Sequence, residues 1–414
     1  MTESPATRPC TAGLDEAEAR TFPFHAPDRL NVDPAFAELR EKEPLCPVRL
    51  PYGEPAWLVT RHEDVKTVLA DPRFSRAASV EHDEPRMRPY EGLPDSIMAL
   101  DPPEHTRLRG SVAKAFTARR VELLRPRTRA IADELVDRML AEGPPADLVA
   151  DFALPLPVTV ICELLGVPYA DRGEFRQWSE ALLSTTKYTE AEIMDASGQL
   201  LGYMGKLVAE HRRAPQDDLL SALVAARDER DRLTERELVV LGVSILVAGH
   251  ETTATQIPNF VYTLLAEPAR LAALREHPEA IPHAVEELMR YVPLGSGAAI
   301  PRYAKEDVEL SGGTVCAGDA VLVALSSANR DPSVYPDPDR LDLSRAETSH
   351  LGFGHGPHHC LGAQLARMEL QVALETLIGR LPGLRFADSA GDVVWKSAAV
   401  IQGPERMPIA WDVP

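Results

Sequence analysis

Between Thr234 and Pro268 runs the longest helical pattern in the chain. Thr234, followed three residues later by Glu237, makes a capping box, in which each side chain satisfies a backbone N–H that the first turn leaves free. Pro268 ends the pattern, because proline has no N–H to donate. At ~1.5 Å per residue the segment Leu238–Ala266 gives a helix of roughly 45 Å. Its first half is apolar on nearly every side, so it should run through the core rather than along the surface. Pro258 predicts a kink or a local break.

In the middle of this helix stands Ala248-Gly249-His250-Glu251-Thr252-Thr253. An acid and two hydroxyls are costly to bury unless they have partners or a task. Gly249 costs about 1 kcal/mol relative to alanine in a helix interior, so something needs to approach closely there. A solvated kink with a satisfied carboxylate and a functional site both explain the segment.

Helical periodicity dominates elsewhere too, at Ala35–Glu43, Glu63–Ala70, His105–Phe116, Arg127–Ala141 and Glu190–Arg213. Strand-like pieces are short: Ala56–Thr60, Val308–Leu310 and Ala320–Leu325. The 36 prolines of the 414 residues punctuate these elements. The fold class is mainly α with small β-sheets (α+β). The first 21 residues are polar and acidic and are expected to be a disordered tail. The rest, 22–414, is expected to form a single catalytic domain.

A net charge of −19 argues against non-specific binding to nucleic acid or anionic membranes. The longest mainly apolar run, Leu238–Ala248, is too short for a membrane span, and the N-terminus lacks the basic start and apolar run of a signal peptide. The expectation is a soluble, cytoplasmic protein. Cys10, Cys46, Cys162, Cys316 and Cys360 are odd in number and widely spaced, with no CxxC pair, which argues against a disulfide framework or a zinc site.

Cys360 stands apart because of its surroundings, Phe353-Gly354-His355-Gly356-Pro357-His358-His359-Cys360-Leu361-Gly362. This is a tight glycine-rich loop. A helix follows, with Leu361, Leu365, Met368 and Val372 on one apolar stripe and Leu370, Leu374 and Leu377 widening it. Cys360 thus sits at a helix N-terminus, where unpaired N–H groups and the helix dipole favour a thiolate. Glycines let a backbone approach a large flat ligand. A lone cysteine is more often an inert core residue, but not in this pattern.

The loop resembles the cytochrome P-450 haem-binding signature, F-x-x-G-x-x-x-C-x-G, at Phe353, Gly356, Cys360 and Gly362. The resemblance extends from about Phe22 to Trp411. It implies the family's fold, with a long central distal helix and a proximal loop whose Cys360 thiolate holds the iron of haem b. Ala248–Thr253 is similar to the family's oxygen-binding motif. By that resemblance Gly249 leaves room for oxygen beside Ala248, Thr252 hydrogen-bonds it, and Glu251 relays protons. Glu287 and Arg290 match E-x-x-R, and Arg340 aligns with the third member of that structural network. His105, Arg109, Arg302 and His358 match the residues that meet the haem propionates.

The implied activity is that of a monooxygenase, using O2 to hydroxylate or epoxidise a small-molecule secondary metabolite. Stretches such as Trp57–Arg61 and Asp101–His105 resemble actinomycete natural-product tailoring members, including macrolide-oxidising enzymes. No flavin- or nicotinamide-binding motif is visible, so electrons would come through a ferredoxin and a separate NAD(P)H-dependent ferredoxin reductase. The arginines between Arg107 and Arg129 could help dock an acidic ferredoxin or simply be solvated. Oxidative C–C or aryl coupling of aromatic or diketopiperazine substrates is the alternative outcome, and a haem-thiolate sensor or carrier the non-enzymatic one. By position, Val80–Met98, Leu182–Met204, Ile245–Ala248, Leu294–Ile300 and Ala399–Gln402 would wall the substrate pocket. Acidic residues of the first could meet a cationic amino sugar or, as exposed charges usually are, simply be solvated.

Overall fold

A computed structural model of the chain describes residues 14, 19–89, 92–93, 95–230, 233–295, 300–347, 349–397 and 399–413. The expected N-terminal tail lies mostly outside the described residues, but Arg20–Thr21 already form a strand. Thirteen α-helices occur among the described residues. They are α1 (Ala35–Lys42), α2 (His62–Ala70), α3 (Glu104–Val112), α4 (Ala118–Glu142), α5 (Pro155–Leu165), α6 (Arg172–Leu183), α7 (Glu190–Arg213), α8 (Leu219–Arg230), α9 (Glu235–Leu265), α10 (Pro268–Glu276), α11 (Ile281–Tyr291), α12 (Leu325–Ala328) and α13 (Ala363–Arg380).

The main sheet has six short strands, in the order Arg20–Thr21, Leu45–Arg49, Ala56–Val59, Ala320–Val323, Arg302–Ala304, Phe74–Ser75. Trp57 pairs in parallel with Val321, and Arg302 pairs antiparallel with the same residue. Smaller two- and three-stranded sheets complete a mainly α architecture. One large apolar core joins the helices, and two smaller clusters flank the main sheet.

The long helix begins where the capping box places it. The Thr234 side chain accepts from Glu237 N, and Glu237 returns to the Thr234 N–H. It then packs on α5, α7, α8, α10 and α13. It is also the one helix, among the described residues, long and apolar enough to cross a membrane, and most of it is buried inside the protein. The break expected at Pro258 is absent, since α9 runs on as one 31-residue helix. Pro258 is buried between Ile257 and Phe260, and packing on all sides offsets the lost hydrogen bond.

Other boundaries moved for similar reasons. Helix α4 starts at Ala118, before the expected Arg127, and passes through Pro126. Val121 lies buried before that proline, and Ile131, Leu135 and Met139 after it, so one apolar stripe spans the interruption. Burial of that stripe against α5 and α13 outweighs the ~3 kcal/mol that an interior proline costs. Cys46, Cys162 and Cys360 are free. Cys316 is disulfide-bonded, contrary to the expectation from cysteine number and spacing.

The proximal side is braced by a buried charge network. Arg290 Nε and Nη2 donate to the two oxygens of Glu287 at 2.7 and 2.8 Å, and neither side chain is exposed. The third member is Arg345, whose Nε donates to Glu287 Oε1 at 3.2 Å. Arg340 does not fill this role. Its side chain is 65% exposed and pairs with Asp342, and it lends the network only its carbonyl, which accepts from Arg290 and Arg345. The turn beginning at Asp337, with φ of +47°, carries irregular backbone in which chain position does not set side-chain direction. Removing one member of a buried charge network leaves its partner uncompensated. Arg345→Ala should therefore lower stability by on the order of 3 kcal/mol, whereas Arg340→Ala should stay within about 0.5 kcal/mol. Denaturant unfolding of the two variants checks this.

Candidate functional site

The Cys360 loop is closed by its own backbone. Cys360 N donates to Phe353 O at 2.9 Å, and His359 N donates to Gly356 O at 3.0 Å. Gly356 has φ of +70°, and a Cβ there would lie 2.8 Å from Ala70 Cα, so this position needs glycine for conformation and for contact with α2. Arg367 stacks its guanidinium 4.5 Å from the Phe353 ring centre and pairs with Glu286. Apart from its own chain neighbours, nothing among the described residues lies within 4 Å of where a Gly362 Cβ would stand.

Cys360 is accessible, yet protein surrounds it closely. Burial pushes its thiol up from the ordinary value. The Gly362 N–H, Arg109 and Arg367 pull the other way without winning. The expected lowering by the helix N-terminus is thus present as a force and outweighed by desolvation.

Beside this loop gathers a set of buried basic side chains. His105 is buried on α3 and its ring centre lies 4.3 Å from that of His358. His358 Nε2 is buried without a hydrogen-bond partner. Its imidazole is pushed down to about 4 by burial, then by His105, Arg302 and Arg76. Arg302, buried on its strand, makes no hydrogen bond or ion pair among the described residues, and burial pushes it down to about 10. Asp101, the acid nearby, is already taken by Ser75 and the Arg76 N–H. Arg109 points elsewhere in the same region, donating to His359 O at 2.7 Å and so tying α3 to the Cys360 loop.

On α9 the otherwise buried helix opens at Val247, Ala248, Gly249 and Thr252. Thr252 Oγ1 donates to Ala248 O at 3.1 Å. The close approach expected at Gly249 is made by Ile161 of α5. A Cβ there would lie 2.6 Å from Ile161 Cδ1, so the missing side chain lets α9 pack on α5. His250 is fully buried, its Nδ1 donates to Leu246 O at 2.6 Å, and its Nε2 lies 3.4 Å from Glu251 Oε1. Burial pushes the Glu251 carboxyl up, but His250, Lys396 and Arg176 together hold it below the usual range.

Two residues here escaped the sequence reading. Lys396 places Nζ 4.0 Å from Glu251 Oε2. Glu369, on α13, is almost wholly buried, and neither of its oxygens makes a well-formed hydrogen bond. Burial pushes Glu369 up to about 8, eased only by the Thr253 hydroxyl. A carboxylate among Leu365, Met368, Leu370 and Val372 was the available signal for it. Lys396 gave none, being a single lysine far along the chain.

Several expected pocket segments do meet. Ser184 pairs with Ala399, Gly295 with Ile401, and Arg88 donates to Leu182 O. Residues 296–299 lie outside the described residues. In the first segment Glu84 pairs with Arg76 and Asp83 with Arg86, so these acids are engaged within the protein. Of the expected docking arginines, Arg107, Arg125, Arg127 and Arg129 pair with Glu237, Glu122, Glu163 and Glu375. Arg119 and Arg120 are exposed.

A thiol enclosed by the protein, a buried arginine and two largely buried imidazoles with no carboxylate paired to them among the described residues, and an open stretch of a core helix fit haem b, which carries an iron and two propionates. The family described as Cytochrome P-450 matches residues 29–381. The chain belongs to the cytochrome P-450 family. It is 54% identical over 398 residues to the mycinamicin IV hydroxylase/epoxidase of Micromonospora griseorubida, covering 96% of this chain and all of that one. It is 52% identical to the nocardicin C N-oxygenase of Nocardia uniformis subsp. tsuyamanensis, with the same coverage. A crystal structure of HinD with NMFT and NO superposes with a TM-score of 0.92 at 50% identity, covering 95% of this chain and 99% of that one. This cytochrome P-450 is a monooxygenase of the natural-product tailoring group, and its cofactor is haem b.

Glu369 gives the enzyme a specific pH signature. Folded, it keeps its proton up to about pH 8, whereas an unfolded glutamate releases it near 4.3. Between those values the unfolded state binds fewer protons, so stability must fall as pH rises. Glu369→Gln keeps the shape and removes the titration. Denaturant midpoints measured from pH 5 to 8 should decline less steeply for Glu369→Gln than for the wild type.

Proposed function

We propose that this enzyme inserts one atom of O2 into a C–H bond, or across a C=C bond, of a macrolide or similar polyketide-like metabolite. The observation that carries this is the 54% identity, over the whole length of the relative, to the mycinamicin IV hydroxylase/epoxidase, joined to an acid and an alcohol side by side at the opening of α9. In this reading the Cys360 thiolate holds the haem iron. His105, Arg302 and His358 meet the propionates, and Arg109 holds the loop that carries the ligand. Phe353, Gly356 and Gly362 shape that loop. When bound, haem supplies the activation of O2.

The chain's own part is to manage protons and exclude water. Thr252 holds a proton on Oγ1 at the open face, where it could turn from the Ala248 carbonyl into the open space beside α9. Glu251 brings protons from the solvent side. An acid next to an alcohol makes a relay, because each group can accept and donate in turn. Electrons come from an NAD(P)H-dependent reductase through an acidic ferredoxin that meets exposed cations such as Lys114, Arg119 and Arg120.

Optical titration of the ferric holoenzyme with macrolides, smaller polyketides and aromatic cyclic dipeptides tests the substrate class. A low-to-high-spin shift with a macrolide is expected. A shift with cyclic dipeptides alone, with products that lose hydrogen and gain no oxygen, would replace this reading with oxidative coupling. Cys360→Ser should lose the thiolate-type ferrous–carbonyl spectrum. Thr252→Ala should still consume NAD(P)H, with the share reaching product falling by about a hundredfold, the low end of what placed acid–base groups contribute.

A further inference from the structure

The C-terminal hairpin, with strands Val394–Trp395 and Pro404–Arg406, is docked on α9 at three points. Trp395 packs edge-on against Tyr262, with ring centres 5.0 Å apart. Asn259 Nδ2 donates to Gln402 O at 3.0 Å. Gly403 presses so close to α9 that a Cβ there would lie 2.9 Å from Asn259 Oδ1 and would also meet Thr255. Lys396 follows directly on this pinned strand, and its N–H donates to Gly403 O at 3.0 Å.

The lysine therefore has little freedom in where it points. Its Nζ donates to Thr255 Oγ1 at 3.0 Å and stands 4.0 Å from Glu251 Oε2. Glu251 and Thr255 are one helical turn apart, so a single ammonium bridges two groups on the same face of α9. Only 27% of the lysine side chain and 13% of the glutamate side chain are exposed, so water screens their attraction little. The titratable and charged groups that face the pair are His250 on α9, Arg176 and Glu180 on α6, and Glu405 on the hairpin. Burial pulls the Lys396 ammonium down, while Glu251 supports it.

We propose that Lys396 is a positioning residue for proton delivery: it fixes the Glu251 carboxylate on the flank of α9 and holds it charged between proton transfers. This deepens the proposed relay and rests on the role given there to Glu251. A carboxylate held charged takes a proton from the solvent side and releases it readily toward Thr252, one proton in and one out. Without the ammonium the same group becomes a weaker acid and is free to turn. An opposite charge within about 4–6 Å lowers a carboxyl pKa by roughly 1–3 units, and loss of that charge should act in reverse.

The test uses the holoenzyme as wild type, Lys396→Met, Lys396→Arg and Glu251→Gln. Infrared difference spectra against pH identify the carboxyl band that disappears in Glu251→Gln. Its titration midpoint should rise by about one unit in Lys396→Met, the low end for such a neighbour, and return toward wild type in Lys396→Arg. The pH profile of product formed per NAD(P)H consumed should move in the same direction. Coinciding midpoints in wild type and Lys396→Met would overturn the role of Lys396 while leaving Glu251 in the relay. A Glu251→Gln enzyme that couples as fully as wild type would overturn the relay itself.

Discussion

A helix that is apolar nearly all round can be stable in water only if other elements cover it, and α9 is that helix. Its covering helices, α5, α7, α8, α10 and α13, take their places from that requirement. The small residues of α9 set the distances. Gly249 lets Ile161 of α5 in, and Gly242 does the same for Met204 of α7. The site forms where covering is incomplete, so that Ala248, Gly249 and Thr252 stay open within an otherwise closed core. The opening is thus a by-product of packing that is tight on one side of the helix and left open on the other.

Cofactor binding follows the same economy on the proximal side. The Glu287, Arg290 and Arg345 network is satisfied within the protein, and so serves rigidity. Among the described residues, His358 Nε2 and the Arg302 guanidinium find no hydrogen-bond partner. A buried guanidinium without a counter-charge, and a buried imidazole nitrogen without a hydrogen-bond partner, are unfavourable, a cost that an anionic group bound there would relieve. These two charge clusters look alike in sequence and differ in whether the protein itself supplies their partners.

What could be read from residues alone was what local rules determine. The capping box at Thr234 and Glu237, the span Glu190–Arg213 and the glycine-rich loop before Cys360 each rest on a few adjacent residues. What could not be read depends on contacts between distant segments. Helix α4 passes through Pro126 because α5 and α13 cover its stripe. Strands of two or three residues, such as Phe74–Ser75, are too short to show a period of two. Arg345 rather than Arg340 reaches Glu287, because irregular backbone has no repeat that fixes side-chain direction. Lys396 meets Glu251 only once a hairpin from the end of the chain has docked.

Glu369 adds a last consequence. It lies in the core beneath Thr253, on the helix that begins at the cysteine loop, and near neutral pH it carries a proton rather than a charge. An electrostatic map of the resting enzyme would show nothing at that position. The centre consequently holds more exchangeable hydrogen than its visible charges declare, and its formal charge and its proton inventory are separate quantities, set by different residues on opposite sides of one helix.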